Sequence, residues 1–177
     1  MNENIKREIL EWIKSILFAI VVAFIITIFI SPTVVKGESM YPTLQNNNYI
    51  ILNKTAYWFS TPKRGDIVVF KSHIKDEKGK DKDLVKRVIG LPGDHIEIKY
   101  GNVYVNKKLQ NETYINGDYT DGSIDLIVPE GKIFAMGDNR PNSFDSRADE
   151  IGTIDISSEI IGKALIRLYP FNEINFF

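Results

Sequence analysis

The chain has 177 residues, a formal net charge of -1 and no cysteine. So balanced a charge gives no basic field for nucleic acid, and the missing thiols exclude disulfides, a cysteine nucleophile and thiolate zinc sites. The length suits one domain with its own core and a small appended lobe.

The N-terminus comes first. From Ser15 to Val35 there is no charged residue, and ILFAIVVAFIITIFI (Ile16 to Ile30) is interrupted only by Thr27. About 20 residues rising 1.5 Å each cross a hydrocarbon core. The pattern predicts a spanning helix over residues 12–31 after a short segment 1–11, with Trp12 in the interfacial belt and Pro32 and Thr33 at its end. A buried core helix is rarely apolar on every face. A cleaved signal peptide would end in a small-x-small site, which SPTVVKGES does not offer. The expectation is an uncleaved anchor. Lys6, Arg7 and Lys14 precede it and Lys36 follows, which places the N-terminus in the cytoplasm and residues 32–177 outside. No later segment is long enough to span, so a single pass is expected.

The rest reads as short strands and turns. NYIILNK (Asn48 to Lys54), GDIVVFK (Gly65 to Lys71) and DLVKRVIG (Asp83 to Gly90) are rich in Ile and Val. HIEIKYGNVYVNKKL alternates and turns at Tyr100-Gly101-Asn102, a hairpin pattern. KIFAMGD and IIGKALIRLYPF are further strand candidates. A mostly-β domain with a small β lobe over residues 96–132 follows. The charged run KSHIKDEKGKDKD (Lys71 to Asp83) reads as a solvated loop, as does NGDYTDGS (Asn116 to Ser123).

The candidate chemistry starts at VVKGESMYPTL, where Ser39 sits between Glu38 and Met40. A serine alcohol is a weak nucleophile and needs a base. His73 lies in the charged run and His95 opens a hairpin strand, and neither has a motif around it. No H-E-x-x-H is present, and two histidines without cysteine make a poor metal set, so no metal or cofactor is expected. A lysine serves if burial lowers its pKa. Lys86 is the candidate, on a strand where Leu84 and Val88 share its face and Val85 and Ile89 share that of Arg87. A solvated amine is the ordinary alternative. AMGDNRPNSFDSR (Ala135 to Arg147) is either a polar loop of local turns or a rigid loop that supports a site.

Taken in this order after an anchor, these stretches resemble the type I signal peptidases, the membrane-bound Ser/Lys proteases. GESMYPTL is similar to the nucleophile box, RGDIVVF to a strand box, KRVIGLPGD to the lysine box and GDNRPNSFDSR to the last box. The resemblance frames nearly the whole chain and is weakest between Tyr100 and Pro129. It implies a signal-peptidase-like β-sheet or β-barrel catalytic domain with an inserted β lobe. Ser39 would attack the scissile carbonyl and neutral Lys86 would take its proton. Ser143 would hydrogen-bond and orient the lysine amine, Asp145 and Arg147 would support Ser143, and Asp138 would pair with Arg87.

The oxyanion would be held by the Ser39 N–H. Some relatives add a serine hydroxyl two positions before the nucleophile, where this chain has Gly37, as in the short Gram-positive-like forms. A serine at Gly37 is expected to be tolerated if the backbone there is extended, which is the favoured reading, and to strain the loop and lower turnover if φ is positive or a substrate strand passes close. By the same carry-over, Val35, Met40, Leu44, Leu84 and Val85 would line pockets for small residues, with plain core membership as the other reading of each. The implied substrates are the signal peptides of exported preproteins, cut after A-x-A-like sites by a monomer at the lipid bilayer. An anchored, catalytically inactive β-domain that binds a surface partner is the alternative. So is a soluble self-cleaving repressor-type protease, which would carry a DNA-binding domain in place of the anchor.

Overall fold

The computed structural model describes residues 3–75 and 79–177. Helix α1 runs Glu3–Phe29. Its span Ile5–Phe29 has a mean hydropathy of 2.5 and none of it is buried against the rest of the chain. It is long and apolar enough to cross a membrane, and its exposed Leu, Ile and Phe side chains need an apolar surrounding. The helix stops two residues earlier than the pattern suggested. Ile30 already opens strand β1 (Ile30–Val34), whose backbone pairs with β2 (Tyr49–Asn53). Pro32 therefore sits within β1 and is not the helix terminator. It is tolerated because β1 is an edge strand, where a missing N–H breaks no inner ladder.

The remaining strands follow in chain order as β3 (Ile67–Lys75), β4 (Asp81–Gly90), β5 (His95–Lys99), β6 (Asn102–Val105), β7 (Lys108–Leu109), β8 (Ile124–Ile127), β9 (Lys132–Met136), β10 (Ile154–Asp155), β11 (Ile160–Tyr169) and β12 (Asn175–Phe176). The chain is thus mostly β with one N-terminal apolar helix. Among the described residues an eight-stranded sheet has the order β1-β2-β11-β3-β4-β9-β10, with β12 beside β11. A second, four-stranded sheet has the order β7-β6-β5-β8.

The charged run from Lys71 to Asp83 differs from its expectation as a loop. β3 extends through Lys75 and β4 begins at Asp81, so the two form a long hairpin; residues 76–78 lie outside the described residues. The backbone ladder needs no apolar side chains, and Ser72 reinforces it by donating to the Lys82 carbonyl at 2.8 Å. The charges simply point outward.

Two cores flank the large sheet. Val35, Met40, Leu44, Ile50, Leu52, Ile67, Val69 and Ala164 make one, and Val68, Phe70, Val88, Ile133, Ala135 and Ile154 the other. A third cluster joins Ile96, Ile98, Val103 and Val105 of the small sheet to Ile89, Phe134 and Met136 on β4 and β9. The small lobe is thereby fixed to the very strands that carry Lys86 and lead into the loop of Asp138.

Candidate active site

Ser39 lies in the connection between β1 and β2. Val35, Met40 and Leu44 are each at most 4% exposed, so the connection is pinned into the core on both sides of the serine. Within it the Tyr41 N–H donates to the Glu38 carbonyl at 3.0 Å and the Leu44 N–H to the Met40 carbonyl at 2.8 Å. Opposite stands β4, whose Lys86 is in register with Val68 of β3. Lys86 Nζ lies 2.6 Å from Ser39 Oγ. In the ammonium form the amine donates; in the neutral form the hydroxyl donates to the amine.

The lysine is 2% exposed. Burial is the main reason its pKa falls to about 8, with Asp145 pulling it up, Arg147 pushing it down and Asp138 pulling it up. A sizeable neutral fraction near pH 8 is what a general base requires. The histidines are engaged elsewhere. His73 faces Glu159 at 3.6 Å and His95 Nε2 lies 2.6 Å from Asp125 Oδ1.

The loop after β9 brings in the supporting groups. Asp138, fully buried, accepts from Arg87 Nε at 2.8 Å and from Arg87 Nη2 at 2.6 Å, a two-pronged ion pair. Thr43 also donates to Asp138, and the Arg87 guanidinium stacks 4.1 Å from the centre of the Tyr114 ring. Asp145 accepts from Arg147 Nε at 2.8 Å, from Ser143 Oγ at 2.7 Å and from the Gly137 N–H at 2.9 Å. Burial pushes the Asp145 carboxyl up, but the Arg147 guanidinium, the Ser143 hydroxyl and the Gly137 N–H outweigh it and hold the pKa below its ordinary value. The Ser143 hydroxyl thus donates to Asp145. The bond to the Lys86 amine that the resemblance implies is not made among the described residues.

Several residues escaped the sequence reading. Arg140, 1% exposed, donates to Glu112 through Nη1 at 2.7 Å and Nη2 at 2.6 Å, to Thr120 Oγ1 at 2.6 Å and to the Gly137 carbonyl at 3.0 Å. Asn139 donates its backbone N–H to the Ser39 carbonyl and its side-chain amide to the Glu38 carbonyl, each at 3.0 Å. Arg140 and Asn139 lie in the polar stretch from Ala135 to Arg147, but nothing local marks them out, and the Glu112 partner of Arg140 is 28 residues away.

A cavity of about 1100 Å³ opens at the pair. Residues 33–39 and 81–86 face each other across it, with Ile50, Val69, Asn142 and Phe144 completing the wall. Of the proposed pocket residues, Val35, Leu84 and Val85 line this space, whereas Met40 and Leu44 are not among its lining residues and belong to the core. Because β9 pairs with β4 only from Arg87 onward, residues 81–86 present a free edge, as β1 does. Two unpaired backbone segments of one sheet therefore border one cavity.

Residues 9–169 match the family model described as signal peptidase, peptidase S26. Signal peptidase IB of Staphylococcus aureus (strain COL) is 41% identical, with 95% of this chain and 93% of that protein covered. Signal peptidase I S of Bacillus subtilis (strain 168) is 41% identical, with 97% and 96% covered. A crystal structure of a signal peptidase I from Enterococcus faecalis V583 is 32% identical and covers 59% of this chain and 97% of that one, with a TM-score of 0.48.

Proposed function

The chain belongs to the signal peptidase family, peptidase S26, whose members are serine peptidases that remove signal peptides, and we propose that it does so with Ser39 as nucleophile and neutral Lys86 as general base. The observation that carries the assignment is the contact of 2.6 Å between a hydroxyl and a buried lysine amine whose pKa is lowered to about 8. The preprotein segment before the cleavage site would enter the cavity as an added strand, its backbone paired with the free edges of residues 30–34 and 81–86. Val35, Leu84 and Val85 would form apolar walls that admit only small side chains at the first and third positions before the cut.

Ser39 Oγ would attack the scissile carbonyl while its proton passes to Lys86 Nζ. The oxyanion so formed would be met by the Ser39 N–H. Collapse would break the C–N bond, and the Lys86 proton would go to the departing amine of the mature protein. Lys86 would then take a proton from the water that attacks the acyl-enzyme and return it to Ser39 Oγ as the ester C–O bond breaks and the signal peptide leaves as a carboxylate. Asp145 with Arg147 and Asp138 with Arg87 would hold the two walls of the site and set the field on the amine. Ser143, fixed by Asp145, would shape the space beside it.

In this reading α1 is a single membrane anchor with the N-terminus in the cytoplasm and residues 32–177 outside, acting as a monomer at the lipid surface. The short path from Phe29 to Ser39 would hold the nucleophile at the height where a signal peptide leaves the bilayer. A fluorogenic peptide with Ala at P3 and P1 tests the reading in detergent micelles. Turnover lost in Ser39→Ala supports a peptidase; no turnover by the parent enzyme in micelles or lipid would favour an anchored binding domain.

A further inference from the structure

We propose that Asn139 is a positioning residue for the oxyanion donor, and that Asn116 of the small lobe holds the Asn139 amide in place. The inference rests on the reading of Ser39 as nucleophile. The peptide that joins Glu38 to Ser39 is trans, since the cis bonds are at Tyr41-Pro42 and Tyr169-Pro170. In a trans peptide the carbonyl and the N–H are rigidly opposed in one plane. Whatever holds the Glu38 carbonyl therefore aims the Ser39 N–H.

Two donors hold that carbonyl, the Tyr41 N–H and Asn139 Nδ2, each at 3.0 Å. The Asn139 backbone N–H secures the next carbonyl, that of Ser39, also at 3.0 Å. Asn139 thus grips the peptide planes on both sides of the nucleophile. Among the described residues the Ser39 N–H itself donates to no acceptor, and Ser39 borders the cavity. It is a donor left free where charge would develop.

The Glu38 carbonyl can only accept, so the Asn139 amide presents its nitrogen to it. Asn116 supports that placement from the other side. Its Nδ2 donates to Asn139 Oδ1 at 3.2 Å, and its backbone N–H donates to the Asp138 carbonyl at 2.9 Å. With Oδ1 occupied, Nδ2 is left for the Glu38 carbonyl. Asn139 is 6% exposed, so water does not readily replace either bond. The small lobe, whose Tyr114 also covers Arg87, would reach the oxyanion site through this relay of two amides.

The test uses the full-length enzyme in micelles with the Ala-x-Ala peptide. Asn139→Asp keeps the shape but turns a donor into an acceptor facing a carbonyl. It should lower kcat by about tenfold or more, less than the loss of an oxyanion donor itself. KM should stay within about twofold; because the new carboxylate adds negative charge near Lys86, the midpoint of the alkaline rise is read on the neutral variant Asn116→Ala, where it should not move. The affinity of a peptide boronic acid, which forms an anionic tetrahedral adduct on serine, should fall by a factor similar to that in kcat. Asn116→Ala leaves Asn139 in place and should act in the same sense, by roughly threefold to tenfold; it carries the test if Asn139→Asp does not fold. A kcat within twofold of the parent in the folded variants would overturn the proposal. So would a loss expressed in KM, a shifted pH midpoint in Asn116→Ala, or boronate affinity that does not change. Ser39→Ala run alongside separates the two readings: if it retains turnover, the nucleophile assignment fails, and if it is dead while both asparagine variants are normal, only the positioning role fails.

Discussion

A Cβ added at Gly137 would lie 2.3 Å from the carbonyl oxygen of Ser39. It would also lie 2.2 Å from Ser143 Oγ. The glycine is where the loop after β9 passes over the nucleophile connection, and the first obstacle is backbone that has no rotamer to escape into. Gly137→Ala should push the two loops apart, with a stability cost of about 1–3 kcal/mol. Because the displaced atoms belong to Ser39 itself, turnover should fall by roughly a hundredfold, the scale of a misplacement of about 1 Å. A peptide assay beside a thermal melt checks both parts.

Arg87 and Asp138 give a coupled prediction. Asp138 is fully buried, and among the described residues Arg87→Ala leaves that carboxylate with only the Thr43 side chain and no paired counter-charge. Stranding one partner of a buried pair costs about 3–5 kcal/mol. The double variant Arg87→Ala, Asp138→Asn should be more stable than Arg87→Ala alone. Strict additivity in that melting cycle would mean that the pair is not coupled.

Asp145 and Arg147 act on Lys86 with opposite sign, the acid raising and the arginine lowering its pKa. Asp145→Asn should therefore move the midpoint of the pH–rate profile to lower pH, and Arg147→Met should move it to higher pH. Equal midpoints in both variants would show that neither charge reaches the amine.

Gly37 reverses an expectation. Its φ is +89° and nothing lies within 4 Å of an added Cβ. Space is therefore not the obstacle; the backbone conformation is, at about 1–3 kcal/mol for a non-glycine residue. Gly37→Ser should reduce turnover, because relaxing φ moves Ser39 two residues on. Kinetics at a temperature well below the melt would register the loss, and full activity would mean that the loop adopts another conformation.

The apolar N-terminal helix was legible because charge-free length is a property of composition, and its end was misjudged because Pro32 reads equally as a helix stop and as an edge-strand residue. Ser39, Lys86 and the loop from Asp138 to Arg147 were legible as short local motifs. What those motifs could not show was how the groups meet. Arg140 with Glu112 and Asn139 with Asn116 are contacts between a loop and a lobe, set by the packing of Ile89, Phe134 and Met136 against the small sheet. Met40 and Leu44 looked like pocket walls because apolar residues beside a serine carry no mark of which side they face. The hairpin at Lys71–Lys75 was hidden because charged side chains say little about backbone pairing.

The most direct measurement is the pH dependence of kcat/KM for the wild-type enzyme, set against turnover by folded Lys86→Met. The lysine is protonated below its lowered pKa, so the rate should rise with pH to a midpoint near 8. The same shift has a stability sign. Between about pH 8 and the ordinary lysine value near 10.4 the unfolded chain binds the extra proton, so wild-type stability relative to Lys86→Met should rise across that window, by about 3 kcal/mol in all. Lys86→Met should lose about 10²–10⁴-fold in turnover, the usual worth of a general base. A midpoint near 6.5, or near-normal turnover in Lys86→Met, would contradict the account and return the base to a histidine or another group.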